Sequence, residues 1–152
     1  MLDCEVQIFS EMEAKMRLTK FTDIALRVLM VSAHDVNRTY TADEIARELK
    51  VSQNHLTKVI RDLAKTGILK TQRGSGGGFR LARAPHQITL GEVVRGLEGD
   101  SAIVECFRPD GGDCSLTPHC RLKGRLATAR EAFLRDLDRT SIAECLSPAH
   151  AF

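Results

Sequence analysis

Three cysteine thiols lie close together in the last third of the chain and could bind a metal centre. Cys106, Cys114 and Cys120 stand on a stretch whose glycine and proline residues exclude a long helix. Thiolates are soft ligands that suit zinc and iron–sulfur clusters. In a reducing compartment such a group binds metal more often than it forms disulfides, and an odd total of 5 cysteines rules out complete pairing within one chain. The pattern therefore predicts a metal centre on the segment 99–120, with three unrelated thiols as the plain alternative.

Two kinds of metal centre compete for these thiols. Zinc wants four ligands, and His119 could complete a site of three cysteines and one histidine. However, structural zinc sites usually bring their ligands as closely spaced cysteine pairs, and His119 is adjacent to Cys120. An iron–sulfur cluster is larger and tolerates wider spacing. Three thiolates also leave one position for a weaker ligand, which suits a sensor open to small reactive molecules. The spacing favours an iron–sulfur cluster, of either the 4Fe-4S or the 2Fe-2S type.

The charge is unevenly distributed along the chain, although the formal net charge is only +2. Residues 16–98 carry fourteen Lys and Arg against eight Asp and Glu, whereas 1–15 carry one against four and 99–152 carry seven against eight. A basic module is the electrostatic footprint of a polyanionic partner such as nucleic acid. A solvated surface would give the same balance.

The basic module contains the pattern of a helix-turn-helix. Apolar residues at helical spacing predict a first helix over about 18–34. Thr41 and Ser52 are predicted N-caps of two short helices joined by a tight turn at 50–51, and Thr41 has a capping-box glutamate three residues later. Gly67 stands where the third helix needs its C-cap.

A glycine-rich run between two short strands follows the third helix directly. Residues 68–71 and 79–82 read as strands, and 72–78 form the tip. A glycine-rich run can also cradle phosphates in an enzyme, but the lysine of a P-loop does not follow here, and a dinucleotide fingerprint would open a helix. The pattern therefore favours a wing. The predicted fold is mainly α with a small β-hairpin wing, a winged helix-turn-helix.

The third predicted helix has the polar side chains of a DNA-reading helix. Its first two turns would face the major groove, where Asn and Gln can bond adenine and Lys can bond guanine. Phosphate contacts would come from Arg17, Arg27, Arg73 and Arg80. Each of these residues alone is more often an ordinary surface group. Besides these arginines, the predicted DNA-binding residues are Gly76 in the wing and, on the third helix, Ser52, Gln53, Asn54, His55, Thr57 and Lys58.

The rest of the chain is predicted to connect and dimerise. Thr89 caps a short helix over 90–97 with another capping-box glutamate, and 99–120 is loop-like. A last helix over about 121–140 has an apolar stripe that is wide for the end of a small domain, which suits a second subunit, although a core helix would look the same. The stripe comprises Leu122, Leu126, Ala129, Phe133, Leu134 and Leu137. We therefore predict a dimerisation helix and tail over 121–146, and a homodimer on a palindromic site.

Length and composition indicate one ordinary globular domain with small extensions. The chain has 152 residues, 43% of them hydrophobic and 28% charged. No apolar run is long enough to span a membrane, and the start lacks the apolar core of a signal peptide, so we expect a cytoplasmic protein. The leader 1–15 is expected to be poorly ordered, ahead of a DNA-binding domain over 16–98. Cys145 and His150 are the nearest approach to a nucleophile and base, and they flank a tail-like segment, so we predict no enzyme.

These features in their order resemble a known family, the iron–sulfur winged-helix transcriptional repressors of bacteria. The resemblance covers about 16–146 and rests on the opening run 16–27, the wing 73–82, and the three cysteines after the fourth helix. Within the family, the runs 52–56 and 116–123 resemble the nitric-oxide-sensing branch most closely. Lys123 stands where the cluster-assembly branch has its histidine ligand. The wide gap between the first two cysteines leaves iron sensing open.

The resemblance implies a homodimer that represses transcription from a palindromic site on double-stranded DNA. An iron–sulfur cluster would be bound by Cys106, Cys114 and Cys120, with Asp23 of the partner subunit as a fourth ligand. Nitric oxide would be the effector, and DNA would be released when the cluster is nitrosylated or lost. An iron- or cluster-status regulator of the same family is the alternative, and a zinc or redox protein is a more distant one. A first-turn aspartate favoured by the helix dipole is the other interpretation of Asp23.

Overall fold

Five α-helices and a two-stranded antiparallel hairpin make up the part of the chain that the computed structural model describes, which is residues 18–74, 77–99, 104–116 and 119–146. The predicted fold class, mainly α with a small β-hairpin wing, is confirmed. The leader 1–15, Arg17 and Gly76 lie outside the described residues. The elements are α1 (Lys20–His34), α2 (Ala42–Glu48), α3 (Gln53–Lys65), β1 (Leu69–Gln72), β2 (Gly78–Leu81), α4 (Leu90–Glu98) and α5 (Arg121–Leu137), with 3-10 turns at Pro85–Gln87, Glu105–Phe107 and Ile142–Cys145.

Hydroxyl side chains begin four of these helices. Thr19, Thr41, Ser52 and Thr89 each accept a hydrogen bond from the backbone N–H three residues later. These bonds satisfy amides that have no partner within the helix. The predicted caps at residues 41, 52 and 89 are confirmed, and the cap of α1 is an addition. Gly67 has a φ of 75° directly after the end of α3, as the predicted C-cap requires.

The two predicted capping boxes are only half formed. The Glu44 carboxylate pairs with Arg38, and the Glu92 carboxylate lies 2.5 Å from Arg83 Nη2. Each glutamate therefore ties its helix to the loop before it rather than to its own cap.

The turn of the helix-turn-helix is built around Lys50. Its φ of 53° is the only positive value for a non-glycine residue in the described ranges. This left-handed conformation costs a residue with a side chain roughly 1–2 kcal/mol. The Val51 N–H donates to the Ala46 carbonyl at 3.0 Å, and Leu49 and Val51 both pack on the core. These contacts fix the angle at which α3 leaves α2.

The wing is held to the core by a third stretch of backbone. In the hairpin, Leu69 pairs with Leu81 and Thr71 with Phe79. Phe79 also exchanges both of its backbone hydrogen bonds with Tyr40, at 2.9 and 2.8 Å, so β2 lies between β1 and residue 40. Phe79 is 1% exposed, and its ring lies 6.3 Å from that of Tyr40.

The chain after α5 folds back on the core, which the sequence did not reveal. The helix ends at Leu137, earlier than predicted, and the Ile142 N–H donates to the Ile88 carbonyl at 2.8 Å. Ile142 is fully buried. Ser141 and Glu144 form a complete capping box for the last 3-10 turn. The C-terminal part of the domain is therefore packed up to Leu146, and the stretch from 147 lies outside the described residues.

Helix α5 buries very little within the protomer. Leu134 is its only buried residue in the described structure. Leu122 and Phe133 are 63% and 51% exposed. These two side chains leave apolar surface of α5 exposed to solvent within the protomer. None of the described helices is both long and apolar enough to cross a membrane.

Gly91 allows the end of α5 to approach α4, and replacing it should destabilise the protein. A Cβ at Gly91 would lie 2.0 Å from Asp138 Oδ1 and 2.9 Å from the Asp138 backbone nitrogen. Asp138 is held there by the Arg95 guanidinium, which lowers the pKa of the Asp138 carboxyl. We expect Gly91→Ala to lower the free energy of unfolding by about 1–3 kcal/mol, because overpacking forces backbone shifts.

Gly124→Ala in α5 is the matched control. A Cβ at Gly124 meets nothing within 4 Å. The same substitution there should raise stability by up to about 1 kcal/mol, since alanine favours a helix. Urea unfolding of the two variants checks this, and equal midpoints would contradict the packing at Gly91.

Candidate DNA interface and cysteine segment

The N-terminal half of α3 presents polar side chains to solvent. Gln53, Asn54, His55 and Lys58 are all exposed, and none of them has a side-chain hydrogen bond or ion pair within the described structure. The opposite face of α3 is buried in the core and fixes the orientation of the polar face. The buried residues are Leu56, Val59, Ile60 and Leu63. This half of α3 therefore has free donors and acceptors on a rigid support.

Two predicted contact residues on α3 already use their hydroxyls. Ser52 Oγ accepts from the His55 N–H at 3.3 Å and caps the helix. Thr57 Oγ1 donates to the Gln53 carbonyl at 2.9 Å. Each hydroxyl keeps only part of its hydrogen-bonding capacity for another molecule.

The C-terminal half of α3 is neutralised internally. Lys65 and Arg61 lie 3.0 and 3.3 Å from Asp62 Oδ1. The hydrogen bonds from Lys65 and then Arg61 lower the pKa of the Asp62 carboxyl, which stays charged at neutral pH. The unpartnered cation on α3 is therefore Lys58, in the half that would face a major groove.

Asp23 and Arg27, both predicted site residues, lie together on α1. Arg27 Nη2 is 2.9 Å from Asp23 Oδ2, and the two side chains are 56% and 48% exposed. An exposed pair of this kind contributes little to stability. Either side chain is therefore free to exchange its partner for a phosphate or for another ligand at small cost.

The wing contributes two further predicted phosphate contacts. Arg73 at the end of β1 and Arg80 on β2 are exposed. Arg73 and Arg80 on the wing and Lys58 on α3 are thus three exposed basic side chains among the predicted DNA contacts.

A carboxylate at the end of α4 holds the beginning of α1. Glu98 Oε1 accepts from the Thr19 N–H at 2.8 Å, from Thr19 Oγ1 at 2.7 Å and from Thr22 Oγ1 at 2.5 Å. Thr22 is fully buried. The charge also sits at a helix N-terminus, where an anion is favoured. The sequence alone does not indicate this contact, because residues 19 and 98 are distant along the chain.

The cysteine segment has the donors of a metal centre, but one protomer does not bring them together. Cys106 lies in the 3-10 turn, Cys114 in the loop, and Cys120 at the N-cap of α5, where its side chain caps nothing. All three thiols are free and half-buried. In the described residues, no three His, Cys, Asp or Glu side chains converge on one ion. The chemistry of the donor set fits an iron–sulfur cluster, since thiolates are its ligands.

The loop between the first two cysteines is shaped by its own residues. Gly111 and Gly112 have φ values of 79° and 60°. Asp110 accepts from the Gly112 N–H at 3.1 Å and lies 2.7 Å from Arg108 Nη2. The two glycines permit this left-handed turn, and the contacts of Asp110 with Gly112 and Arg108 hold it.

Comparison with known proteins places the chain in a family. Residues 18–148 match the profile of Rrf2, described as an iron-dependent transcriptional regulator. The chain belongs to the Rrf2 family. It is 44% identical over 132 residues to the HTH-type transcriptional regulator NsrR of Geobacillus kaustophilus, covering 86% of this chain and 90% of that protein. It is 42% identical over 130 residues to NsrR of Bacillus subtilis, covering 85% and 89%.

Solved structures of Rrf2 regulators show the same fold. The IscR of T. potens superposes with a TM-score of 0.65 at 23% identity, covering 86% of both chains. CymR, the global cysteine regulator of B. subtilis, gives 0.64 at 23% identity, covering 86% of this chain and 95% of its own. Family membership confirms the resemblance to winged-helix regulators and identifies the chain as a transcriptional regulator that binds DNA, rather than an enzyme.

Proposed function

We propose that this Rrf2 regulator is a homodimeric repressor that senses nitric oxide through an iron–sulfur cluster and then releases its DNA. The exposed, unpartnered polar side chains of Gln53, Asn54, His55 and Lys58 carry the DNA-binding part of the proposal. The high identity to regulators named NsrR supports the sensing part. The duplex would contain a palindromic site, because a dimer presents two copies of α3.

Helix α5 supports the dimer. Leu122 and Phe133 are exposed, and the helix buries only Leu134 against its own protomer. Covering such side chains with a second copy would remove apolar surface from water, at about 25 cal/mol per Å². The helix therefore supplies both the surface and the driving force for pairing.

The three free thiols would hold the cluster, with Asp23 of the partner subunit as the fourth ligand. When bound there, a cluster of the 4Fe-4S or 2Fe-2S type would supply iron with which nitric oxide can react. Cys120 lies at the N-cap of α5, which packs against α4, and α4 is bonded to α1 through Glu98. Helix α1 in turn packs against α3. A change in the position of the cysteine segment can thus reach the DNA-reading helix through packed elements.

Asn54→Ala tests the role of α3. Loss of a side chain that bonds a base edge should weaken binding to the target duplex by roughly 5- to 150-fold, equivalent to about 1–3 kcal/mol. Binding to an unrelated duplex should change little, because phosphate contacts carry it. Fluorescence anisotropy on anaerobic protein with both duplexes measures this at one fixed salt concentration.

Asn37→Ala is the matched control. Asn37 is exposed, and only its backbone N–H is bonded, to Asp35. This variant should bind the target like the wild type. If Asn54→Ala also bound like the wild type, α3 would not be the reading helix.

An iron-status regulator is the second candidate, favoured by the description of the Rrf2 family as iron-dependent. Titrating the DNA complex with nitric oxide and, separately, with an iron chelator distinguishes these two candidate functions. Release by nitric oxide at low ratios supports the nitric oxide sensor, whereas release only on iron chelation supports the second candidate.

A further inference from the structure

We propose that the outer face of the wing is a phosphate-binding groove in which Lys70 acts together with Arg80 on the backbone of the bound duplex. This inference rests on the proposed DNA binding. It assigns a contact residue, Lys70, that the sequence pattern did not single out.

The two cations are forced together by the strand register. Lys70 lies directly opposite Arg80 in the hairpin. Because Phe79 directs its N–H and carbonyl to Tyr40, its neighbour Arg80 directs its own toward β1. Directly paired residues project to the same face of a sheet, so both side chains lie on the outer face, and both are exposed.

No counter-charge relieves this arrangement. Neither the Lys70 nor the Arg80 side chain has an ion pair or a hydrogen bond within the described residues. Like charges directly opposite each other destabilise a hairpin. Elsewhere on the domain, Arg27, Arg38, Arg47, Arg83, Arg95 and Arg108 each have an acidic partner. The wing therefore holds a local repulsion that an anion would remove.

The surface between these cations is concave and carries further donors. A groove of about 240 Å³ is lined by Lys70, Arg80, Gln72 and Thr39. Its floor is backbone, because Gly78 has no side chain, and a Cβ there would lie 2.3 Å from the Tyr40 carbonyl oxygen. Lysine, arginine, threonine and glutamine are side chains that contact phosphate and sugar in protein–DNA complexes.

A backbone phosphate of the DNA fits this groove better than a free anion does. Arg73 directly follows β1 and is also exposed, so Lys70, Arg73 and Arg80 are three exposed cations on one hairpin. Several exposed cations suit a chain of phosphates, whereas one small anion needs a closed site. This groove is open and its charged side chains are exposed.

The test compares the salt dependence of DNA affinity in the wild type and in Lys70→Gln. Each phosphate contact contributes a slope of about −0.9 to log K against log salt. Lys70→Gln should make the slope of log K against log salt shallower by about 0.9, the contribution of one phosphate contact. The ratio of wild-type affinity to variant affinity should therefore fall about threefold between ~50 and ~200 mM salt. The loss should be similar for target and unrelated duplexes.

Lys70→Glu adds a readout that a purely structural role would not give. The glutamate would face Arg80 and replace repulsion by attraction, so the melting temperature of DNA-free protein should rise by about 1–4 °C. DNA binding should weaken further at the same time. Lys65→Gln is the control, because Lys65 is already paired with Asp62 and its loss should leave the slope unchanged.

An unchanged slope in Lys70→Gln, or a lower melting temperature in Lys70→Glu, would overturn the inference while leaving wild-type DNA binding in place. Wild-type protein that binds no duplex would overturn the proposed function as well. A melting shift with inorganic phosphate that requires Lys70, without any change in the DNA slope, would assign the groove to a free anion and contradict the DNA contact.

Discussion

Replacing any one of Cys106, Cys114 or Cys120 with alanine should abolish the visible absorbance of the anaerobically reconstituted protein. The chain offers three thiols for this site, and all three are free and half-buried. Because each removed thiolate leaves only two cysteine ligands, no single variant should retain the cluster. We also expect loss of tight binding to the target duplex, because the cluster-loaded form is the one proposed to repress.

Cys145→Ala is the matched control for these variants. Cys145 is also free and half-buried, but it lies in the 3-10 turn after α5. Burial, and then the charge of Glu144, raise the pKa of its thiol, which keeps it protonated and a poor ligand at neutral pH. This variant should keep the full spectrum. A wild-type spectrum in any one of the three cysteine variants would remove that residue from the ligand set.

Phe79→Ala should have the largest effect on stability. Phe79 is 1% exposed, and it joins the wing to the core by packing beside Tyr40. Removing a buried phenyl ring leaves a cavity and typically costs about 3–5 kcal/mol, a large part of the stability of a small domain. The wing should loosen first, because residue 79 lies on its central strand. Urea unfolding at several protein concentrations measures the effect.

Phe133→Ala applies the same substitution to an exposed ring. Phe133 is 51% exposed on α5. Its loss should cost the isolated protomer little, but it should weaken the proposed dimer, so its effect on the unfolding midpoint should be largest at high protein concentration and shrink as the protein is diluted. The Phe79→Ala loss should be similar at all concentrations. Equal behaviour of the two variants would contradict the separate roles of core and interface.

The sequence predicted those parts of the fold that depend on local signals. Thr41, Ser52 and Thr89 begin helices where their hydroxyls meet free amides, and Gly67 ends one with a positive φ. The wing was predicted because strand-forming residues flank a glycine-rich tip. These features need only a few neighbouring residues, so they can be recognised in one sequence.

Contacts between distant residues were beyond the sequence analysis. Nothing near Tyr40 indicated that it would pair with Phe79, and nothing near Ile142 indicated that it would bond to Ile88. The predicted end of α5 was too late because Asp138 turns away to meet Arg95 on α4. Each of these depends on the way elements pack, which hydrophobic periodicity does not specify.

In the candidate site, too, the sequence predicted the features that depend on local signals and not the contacts between side chains. The exposed polar half of α3 follows from helical periodicity, since Leu56, Val59 and Ile60 fix which face is buried. The three cysteines were identified by residue type alone. The Asp23–Arg27 pair and the three bonds to Glu98 emerged only from the structure.

The left-handed backbone of Lys50 has a consequence for how such a regulator can diverge. A glycine or asparagine at this position would adopt the φ of 53° at a smaller cost than lysine does. The domain thus retains a single-step gain in stability next to the helix that reads DNA. Substitutions that alter operator preference usually carry a stability penalty, and this reserve can offset it. Relieving the strain at Lys50 would therefore compensate for a destabilising change in α3.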